Sequence, residues 1–144
     1  FLRSTFSYAA LFGYTALTNT SPFAYPFEVW LLYWASFFWV VGYDTIYALQ
    51  DIDDDQKIGI GSAAVFFQKH SYIFVGICYV LCTLFMIWAI SPQTLYQYMF
   101  LIGWFGFLMW QVWGMKTIHN YAFLFRMNTY GGALIAAALL CRYF

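Results

Sequence analysis

The acidic side chains of this chain are concentrated in one short segment. Five of the six acidic residues lie between Asp44 and Asp55. An α-helix turns by about 100° per residue, so Asp51 and Asp55 would lie within about 20° of Asp44, one on either side, if the helix continued that far. The three carboxylates would then share one face. Asp53 would then project from the opposite side and Asp54 from one edge, and we interpret these two as part of a solvated acidic loop.

Asp44 lies within an apolar stretch, where an ionisable side chain is costly and marks a site facing the interior of a helix bundle. Like charges on one face repel unless a cation lies among them, and hard oxygen ligands select Mg²⁺ or Ca²⁺. A calcium-binding EF-hand loop is excluded, because Gln56 and Ser62 replace its glycine and its final glutamate. Mg²⁺ binds through one or two carboxylates plus substrate phosphates. The pattern favours a phosphate-bearing substrate, and Lys57 is interpreted as a diphosphate contact or as a topology charge.

The composition indicates that lipid is the solvent for most of this chain. It has 144 residues, of which 64% are hydrophobic, 26% aromatic and 8% charged, whereas a soluble domain carries about 25% charged residues. A water-soluble monomer is excluded on these grounds. The net charge of zero argues against nucleic-acid binding, which needs a basic surface. The three cysteines lie in apolar stretches and are interpreted as apolar side chains without redox chemistry.

Apolar stretches of membrane-spanning length, about 20 residues, predict an all-α, polytopic helical membrane bundle. Four are clear, at residues 27–49, 72–90, 96–115 and 124–143, and a shorter one covers residues 6–17. Because the chain enters the short stretch almost at once, we expect an N-terminally truncated helix there. The sequence shows no repeat and no second domain, so we expect residues 1–144 to form a single membrane domain.

Basic and uncharged loops alternate along the chain. Residues 51–70 and 116–126 carry lysine or arginine, whereas residues 18–26 and 91–93 carry neither. By the positive-inside rule, the basic loops, with Arg3, are predicted to face the cytoplasm.

Six further residues are given structural roles. We expect four tryptophans to face lipid or to pack between helices: Trp39, Trp88, Trp104 and Trp110. We expect the glycine pair Gly131 and Gly132, near the start of the last span, to allow two helices to approach closely.

The acidic segment resembles the second aspartate-rich motif of the UbiA superfamily of intramembrane aromatic prenyltransferases, and within it the branch that prenylates 4-hydroxybenzoate. The similarity is dense over about 20 positions. It rests on the run Tyr43-Asp44-x-x-Tyr47-Ala48-x-x-Asp51-x-Asp53-Asp54-Asp55-x-Lys57-Ile58-Gly59-Ile60-x-Ser62.

This resemblance implies a nine-helix bundle in which two aspartate-rich motifs face each other across a cavity. It implies that Asp44, Asp51 and Asp55 are the catalytic and metal-binding residues, holding Mg²⁺ and through it the diphosphate of a polyprenyl donor. Lys57 and Tyr47 would contact substrate. The implied reaction is Mg²⁺-dependent prenylation of 4-hydroxybenzoate in ubiquinone biosynthesis, in a lipid bilayer that we expect to be a bacterial inner membrane. The first motif, Asn-Asp-x-x-Asp-x-x-x-Asp, does not occur in the chain, so we expect the chain to cover about the last five helices.

Three alternatives stay open at this point. The menaquinone, haem O and chlorophyll branches of the same superfamily use other acceptors. A transporter could use Asp44 as a proton or cation site, although such sites usually lie near the bilayer midplane at broken helices. Phosphatidyltransferases acting on CDP-alcohols also place magnesium-binding aspartates at a helix end, but their Asp-Gly-x-x-Ala-Arg element is missing here.

Overall fold

The structure, a computed structural model, describes residues 2–50, 70–118 and 120–140. Across these ranges the chain forms five α-helices and no β-strand, which confirms the predicted all-α class. A short 3₁₀ turn, Pro22–Ala24, lies between the first two helices. The helices are α1 (Leu2–Thr18), α2 (Phe27–Ala48), α3 (Ser71–Ile90), α4 (Leu95–Thr117) and α5 (Tyr121–Leu140).

The bounds of α2, α3 and α4 agree with the predicted spans to within two residues. Local sequence explains the start of α4: Thr94 Oγ1 accepts a hydrogen bond from the backbone N–H of Gln97 at 3.3 Å, and Gln97 Oε1 accepts one from the backbone N–H of Thr94 at 3.2 Å. This reciprocal pair satisfies two backbone donors that a helix start leaves free.

Two helices differ from their predicted spans. Helix α1 runs from Leu2 to Thr18, longer than the short stretch expected. Helix α5 begins at Tyr121, three residues before the predicted start at residue 124. The reason is a cap: Asn120 Oδ1 accepts a hydrogen bond from the backbone N–H of Phe123 at 3.0 Å, a typical N-terminal helix cap.

Helices α3 and α4 are long and apolar enough to cross a membrane, with mean hydropathies of 2.5 and 1.2. They are the two of the described helices that meet this criterion. Helix α2 carries Asp44 and helix α5 carries Arg126 and Asn128. Such residues lower the hydropathy of a span, and inside a membrane they face a bundle interior or a cavity.

Neighbouring helices run antiparallel, so alternate ends of the helices meet. Lys116 Nζ, near the end of α4, lies 3.8 Å from the ring centre of Tyr72 at the start of α3. At the opposite end of the bundle, the ring of Phe27 at the start of α2 lies 5.7 Å from that of Trp88 near the end of α3. The last turn of α2, the first turn of α3 and the last turn of α4 therefore lie on the same side of the bundle.

The contact between α2 and α3 depends on a glycine. A Cβ atom added at Gly42 would lie 2.4 Å from Cε1 of Tyr79, closer than real side chains approach. Tyr79 is fully buried, so its ring fills the space beside the α2 backbone. This close approach fixes which face of α2 points at α3, and thereby which faces remain for α1 and α5.

Candidate active site

Asp44 lies one turn before the end of α2 and is half-buried. It follows Tyr33 by eleven residues, or three turns, so the two side chains project from nearly the same face. Tyr33 packs against Tyr8 of α1, with ring centres 5.6 Å apart. Asp44 therefore lies on the α1 side of α2, away from the face that Gly42 presents to α3.

The other predicted site residues divide into two groups. Tyr47 is in the last turn of α2, and its ring centre lies 4.9 Å from that of Phe125 in α5. Asp51, Asp55 and Lys57 lie outside the described residues. The convergence of the three carboxylates therefore stays a prediction.

Within the described ranges, no group of three or more His, Cys, Asp or Glu side chains is placed to hold a metal ion. Of the predicted ligands, Asp44 is the one that the structure places. Its oxygens are hard donors at the end of a helix, and Mg²⁺ commonly takes one or two protein carboxylates and completes its shell with water and phosphate. The donor chemistry of Asp44 therefore fits the ion that the motif implies.

A cavity of about 600 Å³ opens between α2 and α5. Three aromatic side chains form part of its wall, and the polar side chains that line it carry a guanidinium group, an amide and hydroxyl groups. Helix α2 contributes Ser36, Trp39, Val40 and Tyr43, and helix α5 contributes Phe125, Arg126, Asn128, Thr129 and Gly132.

Hydrogen bonds join the cavity wall to the core across four helices. Tyr79 Oη donates to Gln111 Oε1 at 2.9 Å, and Gln111 Nε2 donates to the carbonyl oxygen of Leu124 at 3.0 Å. Asn128 Nδ2 donates to the same carbonyl at 3.4 Å, and its Oδ1 accepts from Trp39 Nε1 at 3.0 Å. In a low-dielectric interior such satisfied networks hold side chains in one arrangement.

Small residues of α5 complete the slot for the Trp39 ring. A Cβ atom added at Gly132 would lie 3.5 Å from Cη2 of Trp39, and one added at Gly131 would lie 3.0 Å from Cε1 of Phe107 in α4. The predicted close approach of helices at this glycine pair is therefore present. The indole is held by Asn128 at its N–H and by glycine backbone at its far edge.

The cavity reaches the turn of α2 that carries Asp44. Phe125 packs against both Tyr43 and Tyr47, with ring centres 5.6 Å and 4.9 Å away. Tyr43 lines the cavity and precedes Asp44 in sequence. Asp44 is not one of the residues that line the cavity; it lies on the adjacent face of the same turn.

A second, smaller cavity of about 460 Å³ lies where α2 ends and α5 begins. It is lined by Leu49, Gln50, Asn120, Tyr121 and Ala122. Because Asp51 follows Gln50 directly, this polar cavity marks the place from which the remaining predicted ligands continue. Of the predicted site residues, the structure describes Asp44 and Tyr47, both in the last two turns of α2.

Sequence reasoning missed Trp39, Arg126 and Asn128 as site residues. The sequence predicts Trp39 to be a lipid-facing or packed aromatic, and places Arg126 at the end of a basic loop predicted to be cytoplasmic. A signal was present: Arg126 and Asn128 are ionisable or amide side chains within an apolar span, where such residues usually face a cavity. The partner of Asn128 could not be read from the sequence, because Trp39 lies 89 positions away.

The comparisons with known proteins agree with the motif. The UbiA prenyltransferase family matches residues 1–140 of the chain. A 4-hydroxybenzoate octaprenyltransferase from Aliivibrio fischeri strain MJ11 is 33% identical over 142 residues, covering 96% of this chain and 48% of the relative. One of the same name from Aeromonas salmonicida is 31% identical over 157 residues, covering 99% and 49%. A third, from Polynucleobacter necessarius, is 32% identical over 121 residues, covering 80% and 42%.

The chain spans about half the length of the curated relatives it matches. No solved structure shows significant similarity to it. The family match covers nearly all of the 144 residues and includes the acidic motif, so the resemblance read from Asp44 to Ser62 is confirmed. The described helices form a membrane bundle of the all-α type that this resemblance implies. The chain belongs to the UbiA prenyltransferase family.

Proposed function

We propose that residues 1–144 form one membrane domain of an enzyme that prenylates the ring of 4-hydroxybenzoate, using a polyprenyl diphosphate as donor, in ubiquinone biosynthesis. One observation carries the proposal: Asp44 is half-buried in the same turn of α2 as Tyr43, which lines an aromatic-walled cavity. The names of the relatives, 4-hydroxybenzoate octaprenyltransferase, support this acceptor and a polyprenyl donor. The membrane would be a bacterial inner membrane, with the acidic loop on the cytoplasmic side.

Asp44 would hold Mg²⁺ together with Asp51 and Asp55, and Lys57 would contact the donor diphosphate. A bound Mg²⁺ supplies positive charge that stabilises the diphosphate as it departs. Tyr47, one turn beyond Asp44 and packed on Phe125, would contact substrate at the same helix end.

The reaction exchanges one bond for another at the allylic carbon of the donor. The carbon–oxygen bond to diphosphate breaks, the ring carbon ortho to the phenol hydroxyl bonds to that carbon, and loss of the ring proton restores aromaticity. The developing allylic cation must be kept from water, which a lipid-surrounded cavity does. The ring faces of Trp39 and Tyr43 can stabilise that cation through their π electrons.

The test compares two acid-to-amide substitutions in the same helix, made in the complete open reading frame that contains this chain. Asp44→Asn is expected to lower prenyl transfer about 100-fold or more, because it removes a charge directed at the metal and diphosphate. Glu28→Gln changes the same charge in the exposed first turn of α2, sixteen residues away, and is expected to leave activity near that of the unmodified protein. The measurement is formation of prenylated 4-hydroxybenzoate in membranes supplied with Mg²⁺ and both substrates.

Equal activity of the two variants would show that Asp44 has no special role. Absence of any prenylated aromatic product from the unmodified protein would contradict the proposed reaction. A product made from a different aromatic acceptor would keep the chemistry and change the substrate.

A further inference from the structure

We propose that the cavity between α2 and α5 binds the aromatic acceptor, and that Arg126 holds the acceptor's carboxylate. This inference rests on the proposed function, from which it takes an acceptor bearing a carboxylate on an aromatic ring. It assigns a substrate-binding role to a residue of the last described helix, outside the aspartate-rich motif.

The charge of the cavity favours an anionic occupant. Arg126 is the sixth residue of α5, in the second turn of the helix; its side chain is exposed and lines the cavity. The described residues of the cavity lining include this guanidinium and no carboxylate. A cation at such a position in a membrane helix is expected to meet an anion, and the planar guanidinium matches a carboxylate with two parallel hydrogen bonds.

The walls favour a flat aromatic occupant. Trp39, Tyr43 and Phe125 present rings to the cavity, and aromatic rings pack well against one another in stacked or edge-to-face arrangements. The volume of about 600 Å³ falls in the range typical of small-molecule sites. A single carboxylated ring fits both the charge and the walls.

The Trp39 wall is fixed before any ligand arrives. Its N–H is bonded to Asn128 and its ring edge lies against Gly132, so Asn128 Oδ1 is already used. The hydroxyl groups of Ser36 and Thr129, which also line the cavity, remain as partners for the acceptor's polar atoms. A preorganised wall lowers the entropy cost of binding.

The donor diphosphate is the other anion that a guanidinium could hold. The α2 residues lining the cavity, from Ser36 to Tyr43, lie on average about 90° around the helix from Asp44. The predicted metal and diphosphate site is therefore on the adjacent face of α2, and the cavity lies to its side. This arrangement suits an acceptor ring next to the reacting end of the donor, so we assign Arg126 to the acceptor.

The experiment measures kinetics for two acceptors, 4-hydroxybenzoate and its uncharged methyl ester, with the complete protein in membranes. Arg126→Gln is expected to raise the KM for 4-hydroxybenzoate about tenfold or more and to leave the KM for polyprenyl diphosphate within about twofold. The preference for the acid over the ester is expected to disappear. Arg126→Lys, which keeps the charge without the planar fork, is expected to fall between the two. Lys116→Gln, a loss of charge outside the cavity, is the matched control and should keep the preference.

Binding of ring-labelled 4-hydroxybenzoate to the purified protein gives a readout independent of turnover. It is expected to weaken in Arg126→Gln by the same factor as the KM rises. Comparable unfolding temperatures of the variants in detergent would show that the loss is local.

Three results would overturn the inference. A rise in the donor KM instead of the acceptor KM would place Arg126 at the diphosphate. A lysine variant and a glutamine variant that both keep the unmodified preference would make Arg126 a topology charge. If the unmodified protein prenylates the acid and the ester equally well, the proposed reaction stands, but Arg126 does not bind the carboxylate of the acceptor. If no aromatic acceptor is prenylated or bound, the proposed function itself fails.

Discussion

At the scale of single residues, the Trp39 indole is held by two contacts. Its N–H donates to Asn128, and its ring meets that of Trp104 edge-on, with centres 5.9 Å apart. An unpaired polar atom surrounded by lipid and side chains costs more than one facing water. The bond therefore serves both to satisfy two polar groups and to orient the cavity wall.

A double-mutant cycle tests this bond. Trp39→Phe removes the donor and Asn128→Leu removes the acceptor, and each is expected to lower the free energy of unfolding by about 1–2 kcal/mol. The double variant should lose less than the sum, because the second change has no bond left to break. Reversible unfolding in mixed micelles measures the coupling. Strict additivity would mean that the two side chains contribute independently.

Hydropathy alone could not identify this pair. The sequence predicts that Trp39 is packed or lipid-facing, but it does not predict which residue accepts the hydrogen bond from the indole N–H. Residues joined across 89 positions meet because of how α2 and α5 pack, and periodicity within either helix carries no information on that packing. By contrast the sequence alone singles out Asp44 as a candidate, since a carboxylate in an apolar span is unusual by its position.

At the scale of helices, the packing of α2 on α3 depends on the register that Gly42 sets. The Tyr79 ring that occupies the space beside Gly42 cannot move easily, because its hydroxyl is bonded to Gln111. Two glycines of α4, Gly103 and Gly106, have no heavy atom within 4 Å of an added Cβ. Among the described glycines, Gly42 therefore has no room for a side chain, whereas Gly103 and Gly106 do.

Gly42→Ala is expected to lower the free energy of unfolding by about 1–3 kcal/mol, the usual effect of overpacking a buried contact. Gly103→Ala makes the same change in open space and is expected to be neutral or slightly stabilising, because alanine is the better helix former. Unfolding in mixed micelles measures both. If both variants proved equally stable, the close contact between α2 and Tyr79 would not be limiting.

Helix boundaries were predictable where apolar runs end abruptly, and less so at α5. Residues 27–49, 72–90 and 96–115 were recognised because their polar flanks are clear. The predicted start of α5, residue 124, lies three residues too late because hydropathy does not register the cap at Asn120. In the structure the helix begins at Tyr121, directly after this cap.

At the scale of the whole molecule, the basic residues Lys116 and Arg126 and the carboxylate of Asp44 lie toward one end of the described bundle. Asp44 lies there on α2, Lys116 on α4, and the polar cavity at Gln50 and Asn120 joins the end of α2 to the start of α5. The other end carries the uncharged turn at Pro22–Ala24. This asymmetry agrees with the alternation of loops in the sequence, and it makes the orientation in the membrane a testable consequence of charge.

We expect the end carrying Gln50 and Asn120 to face the cytoplasm and the end carrying Phe23 to face the opposite side. Helix α2 has 22 residues, which at 1.5 Å per residue span about 33 Å, enough to cross a hydrocarbon layer of about 30 Å. Its two ends must then lie in different aqueous compartments. The excess of lysine and arginine in the flanking loops selects which compartment each end enters.

Single cysteines placed in a cysteine-free background measure this orientation in intact cells. Gln50→Cys and Asn120→Cys should be shielded from a membrane-impermeant thiol reagent until the membrane is permeabilised, because both positions are exposed but predicted to be cytoplasmic. Phe23→Cys, in the fully exposed turn before α2, should react at once. The background lacks the native Cys78, Cys82 and Cys141. Because Cys78 and Cys82 are buried, the cysteine-free protein is first compared with the unmodified protein by its unfolding temperature. Immediate labelling at Gln50→Cys with protection at Phe23→Cys would invert the orientation, and would place Asp44 and the proposed acceptor cavity near the opposite face of the membrane.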